Sequence, residues 1–425
     1  MKRSALVLTA LAAVPVFLAY RRVLGIDERP SWPPSPDAVT PSGAQAATEA
    51  FAERTDAGPH DAALEFAWST AATIEPWAEG VNFFPRIFAD VEAARSSVHI
   101  LMFGWREGEV GMRMAALLER KLAAGVEVRA IVDGLGSRPR REARAMFAQL
   151  TNAGAQVVVN DVLPPDRRQR ALGRVDHRKL YVVDGTVAWI GGAGIEDHFE
   201  DGRFHDVMAR VTGDVVRQAQ AAFLTSFHGY GGLLQGDLSR CFPEPDDAGS
   251  VPVALAQVIP GGFVAASQAL RAQIDAARER LDVMNPYLTD SGMIERILAA
   301  ARRGVRVRVV VSERSNNAQA RAALRHRYAE LAAAGIELWE VPGTVVHAKV
   351  VVADDVVSFG TVNLDAWALY RNSEIMMLAR SPEAAALFEE RLFEPDIARA
   401  SPGGPPSGAR ERLESRLWHR LAFLL

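Results

Sequence analysis

Cysteine is all but missing from this 425-residue chain, in which Cys241 stands alone. That excludes an intrachain disulfide framework and a cysteine-based zinc cluster, and it leaves the redox compartment open. An excess of either charge is missing too: 48 Lys and Arg and nine His stand against 52 Asp and Glu, for a net charge of −4. The molecule as a whole therefore does not attract nucleic acid or anionic lipid, and any such affinity has to come from local basic patches. Lysine is scarcest of the charged types, confined to Lys2, Lys121, Lys179 and Lys349. What remains is 49% hydrophobic and 24% charged, the composition of a globular protein long enough for one large core or two ordinary ones.

Charge is also absent from Ser4 to Tyr20, an apolar run that reaches roughly 25 Å as a helix, the short end of a membrane span. No small-x-small cleavage site closes it, since Phe17-Leu18-Ala19 is bulky and Ala44-Gln45-Ala46 lies too far on. Residues 1–28 are therefore expected to be a single-pass anchor in the cell membrane rather than a cleaved signal. Arg21 and Arg22 balance Lys2 and Arg3 across the run, so the side of the membrane stays open. The proline-rich stretch 29–65 reads as a semi-rigid tether. A second such stretch, Ser401 to Gly408, opens a tail at 401–425 in which Leu413, Leu417, Leu421 and Leu424 recur at helical spacing among Arg410, Arg412, Arg416 and Arg420. This fits a basic amphipathic helix on a membrane with Trp418 at the interface, or equally a helix docked on the protein's own core.

The body between these ends is written twice. DVEAARSSVHILMFGWR (Asp90 to Arg106) lies beside QIDAARERLDVMNPYLT (Gln273 to Thr289), and LLERKLAAGVEVRAIVDG beside ILAAARRGVRVRVVVSER. In each copy a helix stops at a glycine, Gly125 or Gly304, and an apolar strand follows. Helix, Gly154 or Gly335, and strand then repeat once more. The expected fold class is α/β, two pseudo-twofold-related repeats (66–245 and 246–400) forming one body, each a mixed sheet with helices on its faces.

Each copy ends in His-x-Lys-x4-Asp: His177, Lys179 and Asp184, then His347, Lys349 and Asp354, and these six are the expected catalytic residues. Two of the four lysines thus sit in these motifs. KLYVV, the turn Asp184-Gly185 and TVAWI form a β-hairpin, whose alternation puts His177, Lys179 and Tyr181 on one face and Leu180 and Val182 on the other. A phosphodiester needs such a pairing twice. One neutral imidazole attacks phosphorus and forms a covalent phosphohistidine, while a second donates a proton to the leaving alkoxide. The two lysines neutralise the non-bridging oxygens as charge builds. Each imidazole also needs an orienting carboxylate, and Asp206 and Glu374 follow the two histidines by 29 and 27 residues. Metal binding is not expected, because His-x-Lys lacks ligand spacing and a lysine opposes a dication.

HRKLYVVDGTVAWIGG (His177 to Gly192) and HAKVVVADDVVSFGTVNLDAWALYRNSEI (His347 to Ile375) resemble the two signature segments of the phospholipase D superfamily in its bacterial cardiolipin synthase-like branch. The resemblance covers about residues 66–425. It implies paired α/β repeats, no metal or cofactor, and transfer of a phosphatidyl group through phosphohistidine to an alcohol or water. Chain order and the resemblance point to His177 as nucleophile and His347 as acid. The resemblance also implies phosphate or substrate contacts at Gly192, Thr361, Asn363 and Asn372. The sequence departs from the pattern at Gly194, where the first segment usually has Asn, and at His205, where Arg is usual before the Asp. The second segment is one residue short between Asp354 and Gly360, and Ala366, Trp367 and Ala368 replace a more polar stretch.

Arg138, Arg140, Arg141 and Arg144, and then Arg167, Arg168, Arg170 and Arg174 just before His177, are solvated charge or a hold on an anionic head group. The leading expectation is a phosphatidyltransferase that makes cardiolipin from phosphatidylglycerol at a membrane. A phospholipase D hydrolase releasing phosphatidic acid is the alternative. A nuclease of the same chemistry is disfavoured by the acidic balance and the lack of a basic stripe, so no nucleic acid is expected. A silent lipid-binding protein is disfavoured by two complete motifs. The oligomeric state is not readable from the sequence.

Overall fold

The computed structural model describes residues 67–138, 143–160, 175–234, 238–260 and 264–424. The expected anchor, the whole tether, and Arg140, Arg141, Arg167, Arg168, Arg170 and Arg174 lie outside the described residues. Among the described residues no helix is long and apolar enough to cross a membrane.

Among the described residues eighteen strands carry the fold. The first nine are β1 (Trp68–Ala71), β2 (Thr73–Ala78), β3 (Ser97–Met102), β4 (Glu127–Asp133), β5 (Gln156–Asn160), β6 (Lys179–Val183), β7 (Val187–Gly191), β8 (Phe204–His205) and β9 (Val207–Thr212). The second nine are β10 (Val251–Val258), β11 (Arg280–Met284), β12 (Arg306–Ser312), β13 (Glu337–Val341), β14 (Val345–Val346), β15 (Val350–Ala353), β16 (Val356–Gly360), β17 (Glu374–Arg380) and β18 (Ser401–Pro402). One sheet runs β2-β9-β7-β6-β3-β4-β5 and the other β1-β10-β17-β16-β15-β11-β12-β13-β18. Position by position, β10, β17, β16, β15, β11, β12 and β13 take the places of β2, β9, β7, β6, β3, β4 and β5, which is the duplication in three dimensions. The helices ahead of β4 and β12 stop where Gly125 and Gly304 adopt φ +86° and +94°, a left-handed turn that a side chain resists.

Helices were expected on both faces of each sheet; they cover mainly the outer ones. The helices Gly80–Ala93, Glu109–Ala123 and Arg144–Asn152 pack on the first sheet with Tyr181 and Trp189, and Ala265–Ala276 and Ser291–Arg302 pack on the second. The inner faces meet each other: Leu180, Val182, Ile190, Val350, Val352 and Phe359 belong to one central core. Each such side chain contributes about 1.5–3 kcal/mol by leaving water, so neither repeat is expected to leave this face bare. The alternation read from the hairpin holds from Lys179 onward, whereas His177 precedes the strand. β1, placed with the first repeat, pairs antiparallel with β10 in the second sheet, and β18, placed in the tail, pairs with β13. The tail helix Ala409–Arg420 packs on helix Ala318–Arg325 through a buried Ser415, and His419 lies 4.7 Å from His326, ring to ring.

The two motif aspartates sit at the turn end of their hairpins. Lys179 pairs with Met102 and Val183 with Val98, so Asp184 is roughly 15 Å along the strand from the lysine. Its carboxylate accepts the backbone N–H groups of Arg95, Ser96 and Ser97 at 2.7–2.9 Å, and Asp354 accepts those of Arg278, Glu279 and Arg280 at 2.9–3.0 Å. Both take a left-handed φ, +52° and +53°, which aspartate tolerates better than most residues. The sequence reading placed them among the catalytic groups; the structure makes them clamps that tie each hairpin to the start of the neighbouring strand. Asp184→Ala or Asp354→Ala is expected to lower unfolding stability by roughly 1–3 kcal/mol in urea titration. Turnover per folded molecule should stay within about twofold, and a selective loss of turnover would restore their catalytic role.

Candidate active site

Two backbone stitches between the repeats build the site. Val175 and His177 exchange hydrogen bonds with Ser373 (His177 N–H to Ser373 C=O, 2.9 Å; Ser373 N–H to Val175 C=O, 3.0 Å). On the other side β14 runs parallel to β8, and the His347 N–H donates to the His205 carbonyl at 2.7 Å. Each histidine segment thus lies beside the carboxylate segment of the opposite repeat, one residue away from Glu374 or Asp206.

The side chains follow. His177 Nδ1 lies 3.0 and 3.1 Å from the two carboxyl oxygens of Glu374, and His347 Nδ1 lies 2.7 Å from Asp206 Oδ2. The carboxylates that the sequence places 29 and 27 residues downstream do serve the histidines, but crosswise. Lys179 Nζ donates to the His177 carbonyl at 2.6 Å, and Lys349 does the same to His347. Phe103 packs edge-on against His177 with ring centres 4.8 Å apart and also lies under Lys179; Phe199 and Phe204 flank His347.

The seam is almost dry, and that sets its proton balance. Burial lowers Lys179 to about 8 and Lys349 to about 7, partly offset by Glu374 and Asp206. Burial and the lysine charges drive both imidazoles down, His347 to about 3 and His177 well below its ordinary value, so both rest neutral. Burial also lifts Glu374 to about 8. Asp206 is buried as deeply, yet the His347 hydrogen bond and the Lys349 charge hold its carboxyl below the usual range. The half-sites therefore differ: one imidazole faces an ionised carboxylate and the other a protonated carboxyl.

The four residues expected to touch phosphate divide. Asn363 is buried with its side-chain oxygen unpartnered by protein, so it is available to a ligand. Thr361 instead places its hydroxyl 2.5 Å from Glu374 Oε2, and Asn372 reaches Glu374 Oε1 at 3.5 Å. Gly192 clears space, because a Cβ there would stand 2.5 Å from Asp206 Oδ1. At Gly194 a Cβ would meet Glu196 Oε2 at 2.8 Å, so Glu196, held by Arg106 at 3.3 Å, fills the room left by the missing Asn.

Several contributors escaped the sequence reading. Asp176 binds Arg178 and Tyr230, while Asp133 accepts the Asp176 N–H at 2.8 Å and fixes the approach to His177. His205 is an imidazolium, raised to about 9 because Asp396 and Glu79 at 2.7 and 2.6 Å outweigh burial. The unusual His in place of Arg so keeps the cation and anchors the Asp206 strand. The departure at His205 was its trace in the sequence; Glu79 and Asp396, 126 and 191 positions away, had none.

A family model described as the phospholipase D-like domain of cardiolipin synthase matches residues 87–223 and 270–395, one segment per repeat. The chain belongs to this family. It is 27% identical over 364 residues to a cardiolipin synthase of Listeria monocytogenes, covering 83% of this chain and 74% of that one. With cardiolipin synthase A of Yersinia pseudotuberculosis it shares 29% identity over 357 residues, 78% of this chain and 70% of the other. Among solved structures, phosphatidylserine synthase of Haemophilus influenzae superposes with a TM-score of 0.65 at 14% identity, over 89% of this chain and all of that one, a likeness of fold.

In this cardiolipin synthase family member the lysines predict the pH dependence. Each is charged below its pKa, so the ammonium charge that the transition state needs is lost as pH rises through about 7 for Lys349 and about 8 for Lys179. His347, the expected acid, rests neutral above about 3, so kcat/KM, which reports the free enzyme, should already decline with pH and should steepen across the lysine window. A bound phosphate anion favours the ammonium forms, so the limb in kcat should lie higher. A kcat/KM flat to high pH would contradict the account.

Proposed function

We propose that this chain is a phospholipase D-type phosphatidyltransferase that makes cardiolipin and glycerol from two molecules of phosphatidylglycerol at a membrane. One observation carries the reading: two His–Lys pairs, each held by the other repeat's carboxyl group, converge on one seam at the ends of the strands. That arrangement can bracket a single tetrahedral phosphorus with a nucleophile on one side, an acid on the other and two ammonium charges between.

In the first step His177 Nε2 attacks phosphorus and the bond to the departing glycerol oxygen breaks. His347 supplies the proton that this alkoxide takes away. The assignment is the one chain order and the resemblance imply; Asp206, whose carboxyl is held below the usual range, supports it because it can sustain a protonated His347 as the phosphate anion arrives. Lys179 and Lys349 neutralise the non-bridging oxygens, and Asn363 offers a further polar contact. In the second step His347 removes the proton of a second phosphatidylglycerol hydroxyl, whose oxygen attacks the phosphohistidine and frees His177. Water in that role would give phosphatidic acid instead. The anchor expected at residues 1–28 would hold the enzyme beside its substrate.

The test supplies the full-length protein in detergent with phosphatidylglycerol alone and follows products by mass spectrometry. Cardiolipin and glycerol in equal amounts are expected, lost in His177→Ala and in His347→Ala. Asp206→Asn and Glu374→Gln should reduce turnover by about 10²–10⁴-fold. A phosphatidyl group should map to His177 in quenched reactions. Phosphatidic acid without cardiolipin would establish the hydrolase, and a phosphatidyl group on His347 would reverse the assignment.

A further inference from the structure

The tail helix Ala409–Arg420 inverts the usual rule of burial. Ser415 is buried at 2% exposure, while Leu413 and Leu417, on the opposite side of the helix, are 70% and 36% exposed. Arg410, Arg412, Arg416 and Arg420 are exposed beside the leucines. A helix that only needed to dock would turn its leucines inward.

The position of this helix matters. Trp367 Nε1 donates to the Leu424 carbonyl at 3.1 Å, and Trp367 lies in the short helix Ala366–Tyr370 between Asn363 and Asn372. The tail is therefore fastened to the catalytic segment of the second repeat, with Phe423 exposed next to that contact.

The other large exposed apolar residues among those described gather at the same end. Leu135 follows Asp133, which holds Asp176 beside His177. Leu233 is three residues past Tyr230, whose hydroxyl binds Asp176. Val81 is two residues past Glu79, the partner of His205. Met112 sits in the first turn of a helix whose leading N–H groups bind Asp197, two residues before Phe199 at the His347 ring. The opposite end, with the Asp184 and Asp354 turns, carries none of them. Scattered exposed leucines mean little, but a collection confined to the mouth of one site marks a contact surface.

We propose that this end of the body, led by the tail helix, seats on an anionic phospholipid bilayer so that both histidines face the headgroup layer. Apolar side chains flanked by arginines match the boundary between acyl chains and negative headgroups. This contact would be separate from the anchor expected at the N-terminus. It would fix the orientation of the mouth and let lipid enter without crossing water. The inference extends the phospholipid reading, and its test records docking rather than turnover so that the two fail separately.

Full-length protein carrying Leu413→Cys is labelled with an environment-sensitive fluorophore, Cys241 being buried, and mixed with phosphatidylglycerol/phosphatidylcholine vesicles or with phosphatidylcholine alone. Arg302→Cys, on the far end, is the control. A blue shift at Leu413 that requires phosphatidylglycerol and is absent at Arg302 is expected. Each of Arg416→Gln and Arg420→Gln should raise the lipid concentration for half-maximal shift about fivefold. No shift at Leu413, an equal shift at Arg302, or a shift indifferent to lipid charge would overturn the proposal. So would a vesicle-free shift that grows with protein concentration, which would give the leucine face to a second copy. Docking without cardiolipin formation would refute only the proposed reaction; turnover in detergent without the Leu413 shift would refute only the docking.

Discussion

Two ammonium groups and two carboxyl groups are buried together in one seam, and this charge balance is what the rest of the molecule serves. Lys179 and Lys349 are nearly inaccessible, and Asp206 and Glu374 fully so. Removing such groups from water costs several kcal/mol each unless opposite charge and hydrogen bonds replace the solvent. Each repeat carries one histidine, one lysine and one carboxyl, yet the carboxyl of each repeat lies against the histidine of the other. Completing either half-site therefore requires both repeats, and the central apolar core holds them in register.

The body is two-ended as a result. At one end the chain exposes reactive polarity and apolar side chains; at the other it spends aspartates on backbone clamps and glycines on helix stops. A lowered lysine pKa is the functional consequence of the dry seam, because the same burial that makes an ammonium powerful against a phosphate makes its proton easier to lose. The stitches at Ser373 and His205 convert this balance into geometry, since each passes through backbone one residue from a catalytic carboxyl.

Much of this was legible in the sequence. Repeated words carried the order of helix and strand in both halves, Gly125 and Gly304 marked helix ends, and the structure places His177, Lys179, His347 and Lys349 in the seam between the repeats. Asp206 and Glu374 were found, but near-equal offsets cannot distinguish pairing within a repeat from pairing across it; that is decided by which segments touch. Asp184 and Asp354 misled because a motif is a string, whereas a strand rises about 3.3 Å per residue and carries its end away from its start. Glu196 was hidden because its role depends on the space left at Gly194. The pairing of β1 with the second sheet has no local signal, since a short strand reads the same on either edge.

Pairing across the repeats is the central claim, and histidine NMR addresses it directly. In protein labelled with ¹⁵N-histidine, the Nδ1 resonances of His177 and His347 would be assigned by substitution and followed in Asp206→Asn and Glu374→Gln. The account predicts that Asp206→Asn moves the His347 resonance and leaves that of His177 largely in place, with the reverse for Glu374→Gln. If Asp206→Asn moved His177 instead, each repeat would hold its own histidine and the crossed seam would be wrong.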